Sequence, residues 1–561
     1  MSLFGLSCGA PRAAAPFGSE GAAGPPGGPS QSADLVFTGA VVVTGQPDSE
    51  LASAVAVRDG KVVAVGSAQL VAGQVGPQTR VIDLEGALVL PGLTDAHAHL
   101  DGLGTALATI DLRGTKSYAA VLEAVGRAGR ARPEGWILGR GWDQNDWADP
   151  SFPEGKELER VAPGRAVWLR RIDGHAGVAS PAALAVAGVE PATVAPAGGR
   201  ILRDSDGRPT GVLVDNAMAL IERMIPAPTA TERQRRLKLA LRQAVAVGLT
   251  GVHDMGVSLQ GLADFRALAA AGELPLRVYA AVSGSAAELG QVYAQGPQVG
   301  ELLTVRAVKL FADGALGSRG AALLADYRDD PGNRGLLVTP PGVLADTIQR
   351  VVDAGFQPCV HAIGDRANRL VLDAYERAVQ GRQDLRPRVE HAQVLAPEDV
   401  ARFAAIGAVA SMQPTHATSD MPWAADRLGS DRLAGAYAWR SLAQSGARLA
   451  FGSDFPVERP QVLAGLFAAM TRTDEAGQPP GGWLPEQRLS FAEAVAGFTG
   501  GAAYAAFVEQ RRGAIAPGQD ADLTILAGPG LVELAQGKGS AQALLTATIR
   551  ATVVAGRIVY E

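Results

Sequence analysis

Along residues 34 to 90 apolar and polar positions alternate in short runs, DLVFTGAVVVT, SAVAVRDGKVVAVGS and TRVIDLEGALVLPG, which is the period of half-buried β-strands. Asp59-Gly60 falls between two such runs and predicts a hairpin. The same texture returns near the other end of the chain, in ADLTILAG and IRATVVAGRIVYE. Isolated hairpins bury too little surface to stand alone, so residues 34–90 and 512–561 are expected to pair into one composite β-sandwich. The stretch between them, 91–511, reads differently. Apolar runs there end in polar residues: ALVLPGLTDAHAH, AVWLRRIDGHAG, GLTGVHDMG, TVRAVKLFADG, QPCVHAIGD, PRVEHAQ, GAVASMQP and RLAFGSDFPV. Between them lie segments of helical period such as ATERQRRLKLALRQAVAVG and PPGVLADTIQRVVDAG. Eight strand and helix units predict an α/β fold, a (β/α)8 TIM barrel, whose chemistry sits at the carboxyl ends of its strands. Segments 100–165 and 176–247 exceed the length of one helix and are expected to be insertions over the barrel mouth.

Composition narrows the function. The chain has 561 residues, 47% hydrophobic and 19% charged, with a net charge of -6 and no Lys/Arg-rich run, which argues against nucleic acid or an anionic membrane surface as partner. No run of 18 apolar residues is present, so no transmembrane segment is expected, and a small molecule is the expected partner, with a homo-oligomer left open. The first 33 residues are rich in Gly, Pro, Ala and Ser and read as a flexible leader. Its opening FGLSCGAP gives two readings: a cytoplasmic protein with an incidental Cys8, or an exported lipoprotein anchored through Cys8 if the start lies upstream. Two cysteines cannot build a cysteine-rich metal site, so a metal would be held by His and carboxylates.

The seven histidines are placed accordingly. His97 and His99 form a His-x-His pair that chance would give roughly 0.09 times in such a chain, and strand geometry puts i and i+2 on one face, where both can grip one ion. His175, His253, His361 and His391 also fall at predicted strand ends, with only His416 a few residues past one. Lys309 lies within an apolar strand, where an ammonium must lose its charge or find a partner. Carboxylation by CO2, giving an anionic carbamate that bridges two cations, is one solution; pairing with a carboxylate such as Asp313 is the other. Asp454, at the end of the last strand, completes a liganding set of four His, one Lys and one Asp.

The motifs PGLTDAHAHL, RIDGHA, KLFADGALGSRGA, VHAIGDRA, RVEHAQ and FGSDFPV are similar to those of the amidohydrolase superfamily, and within it of the amidohydrolase 3 family, which includes YtcJ-like proteins and N-substituted formamide deformylase. The resemblance covers residues 34–561. It implies that His97, His99 and Asp454 bind one divalent ion and His361 and His391 a second, both zinc, with Lys309 as a carbamate between them. A metal-activated hydroxide would then hydrolyse an amide, formamide or cyclic amide carbon–nitrogen bond, with Asp454 as the proton carrier. A hydrolytic deaminase and an esterase or lactonase are the alternatives on the same site, and a noncatalytic binding or scaffold barrel is the remote one. Trp142, His175, His253, Asp313, Ser318 and Arg319 stand as substrate-side candidates, each against a structural role, while Trp147 is expected to pack the insertion.

Overall fold

The computed structural model describes residues 32–46, 50–131, 134–171, 176–196 and 199–561. Eight parallel strands form the central sheet: in chain order Leu93–Ala98, Leu249–Val257, Arg277–Val282, Leu303–Phe311, Gln357–Ala362, Arg388–His391, Val409–Met412 and Arg448–Phe451. Neighbours in that order pair in parallel register, for example Lys309 opposite Cys359 and Ala362 opposite His391. The ends of the row meet through loop bonds: Asp454 N donates to His97 O at 2.7 Å and His99 N to Phe455 O at 2.9 Å. The result is the (β/α)8 barrel expected from the sequence.

One barrel strand is not the expected one. AVWLRR (Val167–Arg171 as a strand) belongs to a separate six-stranded sheet that runs from Ile110 to Asp215. Its place in the barrel is taken by Arg277–Val282, RVYAAV, which is buried along its whole length. A strand covered on both faces reads as a continuous apolar run, and this one lacks the polar tail that marked the others. The six-stranded sheet also redraws the insertions. Leu100–Ala108 and Ala230–Ala246 are helices flanking it, the second opened by a capping box in which Thr229 and Glu232 satisfy each other's backbone N–H groups. The inserted unit has apolar clusters of its own, around Trp142 and Val178 and around Trp168 and Leu213.

Strands from both chain ends pack face to face. One sheet holds Leu35–Thr38, Ala54–Arg58, Lys61–Gly66 and Arg80–Asp83; the other holds Val41–Val42, Leu88–Pro91, Leu523–Ala527, Thr548–Val554 and Arg557–Tyr560. Phe37, Val55, Val57, Val89, Ile525 and Val553 fill the space between them. At the hairpin Asp59 and Gly60 take φ of +51° and +72°, the left-handed pair a type I′ turn needs. Arg277 Nε donates to Asp522 Oδ2 at 2.6 Å and fastens the barrel to this layer. Among the described residues no helix is long and apolar enough to cross a membrane. Cys8 lies outside the described residues, and Cys359 is a buried free thiol inside the barrel.

Candidate metal centre

Alternation along the barrel strands turns one set of side chains inward, and near the carboxyl ends that set is His97 and His99, Lys309, and His361. On the sixth strand Arg388 and Glu390 point inward by the same rule, which would send His391 outward. His391 instead takes φ of +76°, and this left-handed step swings its ring back to the centre. Asp454, just past the eighth strand, has φ of +62° and comes in the same way.

The imidazoles are held from behind. His97 Nδ1 lies 2.6 Å from Glu390 Oε2, His99 Nδ1 2.6 Å from Met255 O, and His391 Nδ1 2.8 Å from Gln413 Oε1. Each acceptor fixes a proton on Nδ1 and leaves the Nε2 lone pair free, the arrangement by which proteins orient imidazole ligands. His97 Nε2 is 3.6 Å and His99 Nε2 2.9 Å from Asp454 Oδ1. One ligand atom each from His97, His391 and Asp454 lie within 4.8 Å of one another. That group includes His391, which the family resemblance gives to a second ion. The His361 ring is 4.5 Å from that of His391, and its buried Nε2 has no hydrogen-bond partner. A divalent ion would meet such unpartnered donors, so the residues fit the group the sequence calls for.

Charge in the site follows from burial. Burial, helped by the nearby Lys309, lowers His97 to about 4 and His361 to about 3, and it holds His391 well below its ordinary value. These rings are therefore neutral and ready to ligate at pH 7. Burial alone would lower His99 as well, but the hydrogen bond and charge of Asp454 outweigh it and raise its pKa. Asp454 is buried, yet the histidines around it, His99 above all, hold its carboxyl below the carboxylate range. Burial lowers the Lys309 pKa. Lys309 Nζ sits 3.4 Å from His97 Nε2, and among the described residues no carboxylate approaches it within 4.0 Å. Asp313 is not its partner. That carboxylate, pushed up to about 7 by burial, accepts backbone N–H groups from Ala322, Ile363 and Gly364 at 2.8 to 2.9 Å.

The other candidates separate. Trp142 is wholly buried in the inserted unit, with Nε1 donating to Leu169 O at 2.8 Å. Trp147 packs the same core, its ring 6.1 Å from that of Trp142. His253 lies deeper in the barrel, 2.9 Å from Arg388 Nη1, so it is tied to the charged network under His97. Arg319 is paired with Asp329 at 2.9 Å, and Ser318 donates to Ala315 O at 3.3 Å. His175 lies outside the described residues. Four groups were not singled out from the sequence. Glu390 and Arg388 form a fully buried ion pair at 2.8 Å, and Asp95 accepts from Ser453 Oγ at 2.6 Å where the barrel closes. The fourth is His416, stacked on His391 with ring centres 5.9 Å apart and Nε2 3.7 Å from Asp454 Oδ2. A charged pair inside the strand RVEH was the available signal for the first two.

Comparison with known proteins agrees with this architecture. The profile of the amidohydrolase family matches residues 80–560. The YtcJ protein of Bacillus subtilis (strain 168) is 35% identical over 94% of this chain and 99% of its own length. The N-substituted formamide deformylase of Arthrobacter pascens is 29% identical over 89% of this chain and 94% of its own. Among solved structures, an uncharacterized metal-dependent hydrolase of Pyrococcus horikoshii OT3 superposes with a TM-score of 0.72 at 27% identity, covering 88% of this chain and 96% of that one.

Proposed function

The chain belongs to the amidohydrolase family and is a hydrolase, and we propose that it uses divalent metal to cleave the carbon–nitrogen bond of a small amide, formamide or cyclic amide. The observation that carries this reading is the convergence of His97, His99 and His391 on Asp454, each imidazole with Nδ1 tied back to a fixed acceptor. The likeness to a formamide deformylase supports the choice of bond. His97, His99, Lys309, His361, His391 and Asp454 would hold two zinc ions, with Lys309 carboxylated and placed between them. Zinc bound there supplies a Lewis acid that polarises a carbonyl and acidifies water.

The chain's own groups do the rest. Asp454, kept ionised by its histidine neighbours, accepts the proton of the attacking water and returns it to the leaving nitrogen. Lys309 is suited to carboxylation because burial favours its neutral amine. The amine lone pair attacks the carbon of CO2, the N–C bond forms, and one N–H proton leaves to water. Glu390 anchors His97, and Gln413 anchors His391.

A mononuclear hydrolytic deaminase is the second reading, favoured by one point: a single ion could be held by the group His97, His391 and Asp454 alone. Elemental analysis of protein purified without chelator, run beside a panel of formamides, cyclic amides, esters and amino-heterocycles, separates the two. Two ions per chain with turnover of the amides is the expected result. One ion with turnover confined to amino-heterocycles would replace it by the deaminase, and a folded, metal-free, inactive protein would point to a binding barrel.

A further inference from the structure

His416 is one of the histidines that no ligand assignment uses. It lies on the short helix Pro414–Asp420 that follows the seventh strand, and its side chain is 12% exposed. Its Nε2 is buried and has no hydrogen-bond partner. A buried polar atom left this way is unfavourable, so a partner absent from the folded chain is expected to arrive with a ligand. The atom points at Asp454 Oδ2 from 3.7 Å, beyond hydrogen-bonding distance. Asp454 Oδ1 faces the other way, toward His99 and His97. The oxygen free to carry a proton therefore lies on the His416 side. The His416 ring is held in place, 13° from parallel with that of His391, whose Nδ1 is fixed by Gln413 three residues before His416.

We infer that His416 contacts the substrate, its Nε2–H donating a hydrogen bond to the carbonyl oxygen of the bond being cleaved. This rests on the hydrolase reading above. A substrate whose leaving nitrogen takes its proton from Asp454 Oδ2 has its carbonyl oxygen attached to the same carbon, one bond from that nitrogen's neighbour and so within reach of His416. A donor fixed there strengthens its bond as negative charge grows on the oxygen, which favours the transition state over bound substrate. The arrangement also explains why a polar ring is kept beside His391 when an apolar one would pack without an unmet donor.

The comparison uses full-length parent, His416→Ala and His416→Gln, each assayed for metal content, for kcat and KM on an accepted formamide, and for binding of methylphosphonate, a tetrahedral oxyanion, by calorimetry. Both variants should keep the parental metal content. His416→Ala should lower kcat by about 10² or more with KM changed by less than about fivefold, the mark of a contact made in the transition state. His416→Gln, which keeps an N–H donor, should recover roughly tenfold of that loss, and methylphosphonate should bind the Ala variant at least about tenfold more weakly than the parent. Loss of metal in His416→Ala would make the residue a ligand and overturn the inference. So would kcat and methylphosphonate affinity within about threefold of parent in both variants. If the parent cleaves esters and no amide, the amide reading fails while His416 is judged on the ester by the same comparison. If it cleaves neither, methylphosphonate binding decides.

Discussion

Replacing Glu390 by Gln changes almost no volume and removes one charge from the centre of the barrel. Glu390 is fully buried; its Oε2 lies 2.6 Å from His97 Nδ1 and 3.1 Å from Arg388 Nη2, and its Oε1 lies 2.8 Å from Arg388 Nε. All the groups facing it are donors. A glutamine can present its oxygen to His97, but its amide N–H2 then meets the Arg388 Nε–H group, and the guanidinium is left without an anion. Its other partners, Ala96 O, Ser411 Oγ and a His253 that burial keeps neutral, carry no charge to replace it. Removing one side of a buried ion pair costs about 3–5 kcal/mol. Replacing the carboxylate behind His97 by a neutral amide should weaken metal binding by about 10 to 100-fold, because the ring loses the charge that raises its basicity as a ligand.

Two measurements read the two parts. Urea unfolding of chelator-treated parent and Glu390→Gln, followed by a probe of the barrel, gives the stability loss. Competition with a chromophoric chelator gives the metal affinity. The double variant Glu390→Gln/Arg388→Met should regain much of the stability, because the cost lies in the stranded guanidinium, but it should not regain affinity, because His97 still faces a neutral amide oxygen in place of a carboxylate. A Glu390→Gln protein with parental urea midpoint and parental affinity would refute the buried network as drawn.

The remaining predictions are shorter. Asp454→Asn, assayed with metal content measured alongside, should stay folded and lose about 10² or more in turnover, and activity within a few fold of parent with both ions present would move the base elsewhere. Lys309→Ala should release at least one ion, acetate or propionate supplied with metal should restore part of the rate, and Lys309→Arg, which cannot be carboxylated, should not be rescued. Two ions and near-parental rate in Lys309→Arg would sink the carbamate bridge. In the metal-free protein His97 is held near 4 and His361 near 3, against about 6.5 in the unfolded chain, so the unfolded state binds more protons through that window. Stability should therefore fall as pH drops from 6.5 toward 4, by about 3 kcal/mol from His97 alone, seen as a lower urea midpoint at pH 5 than at pH 7. Asp95, pushed up to about 7 by burial, works in the opposite direction, so Asp95→Asn should steepen the fall, and an unchanged slope would contradict its assignment.

The barrel was readable because seven of its strands are marked twice, by an apolar run and by a polar residue at its carboxyl end. Where the two marks part, the reading fails. RVYAAV carries only the first and does not read as a barrel strand, while AVWLRRIDGHAG carries both yet joins the other sheet. Which sheet a strand joins is decided by its pairing partners, as when Arg277–Val282 settles between Leu249–Val257 and Leu303–Phe311 while Val167–Arg171 pairs with Ile137–Trp142 and Ala176–Ala179.

Of the site, the histidines and Asp454 that converge at the barrel mouth are legible in the sequence and the groups behind them are not, and His391 shows why. A period of two along RVEH assigns Glu390 and His391 to opposite faces, so a reading that sends His391 to the centre has no use for Glu390 there. The left-handed φ of +76° breaks that period at its last residue and lets one strand end deliver both a ring for the site and the carboxylate that anchors the ring of His97. Asp454 does the same at φ of +62°, one strand end away from His97 O, which accepts its backbone N–H. A non-glycine residue held there costs of order 1–3 kcal/mol, and no side-chain pattern announces it. His416 is hidden for a related reason: it comes in from a helix after the seventh strand, outside the strand period altogether, and only the folded chain brings its Nε2 to Asp454. His391 and Asp454, aimed inward by breaks in the strand period, are reached from the sequence by their place at strand ends, whereas Glu390, aimed by the period itself, is hidden by the assignment of its neighbour to the same face.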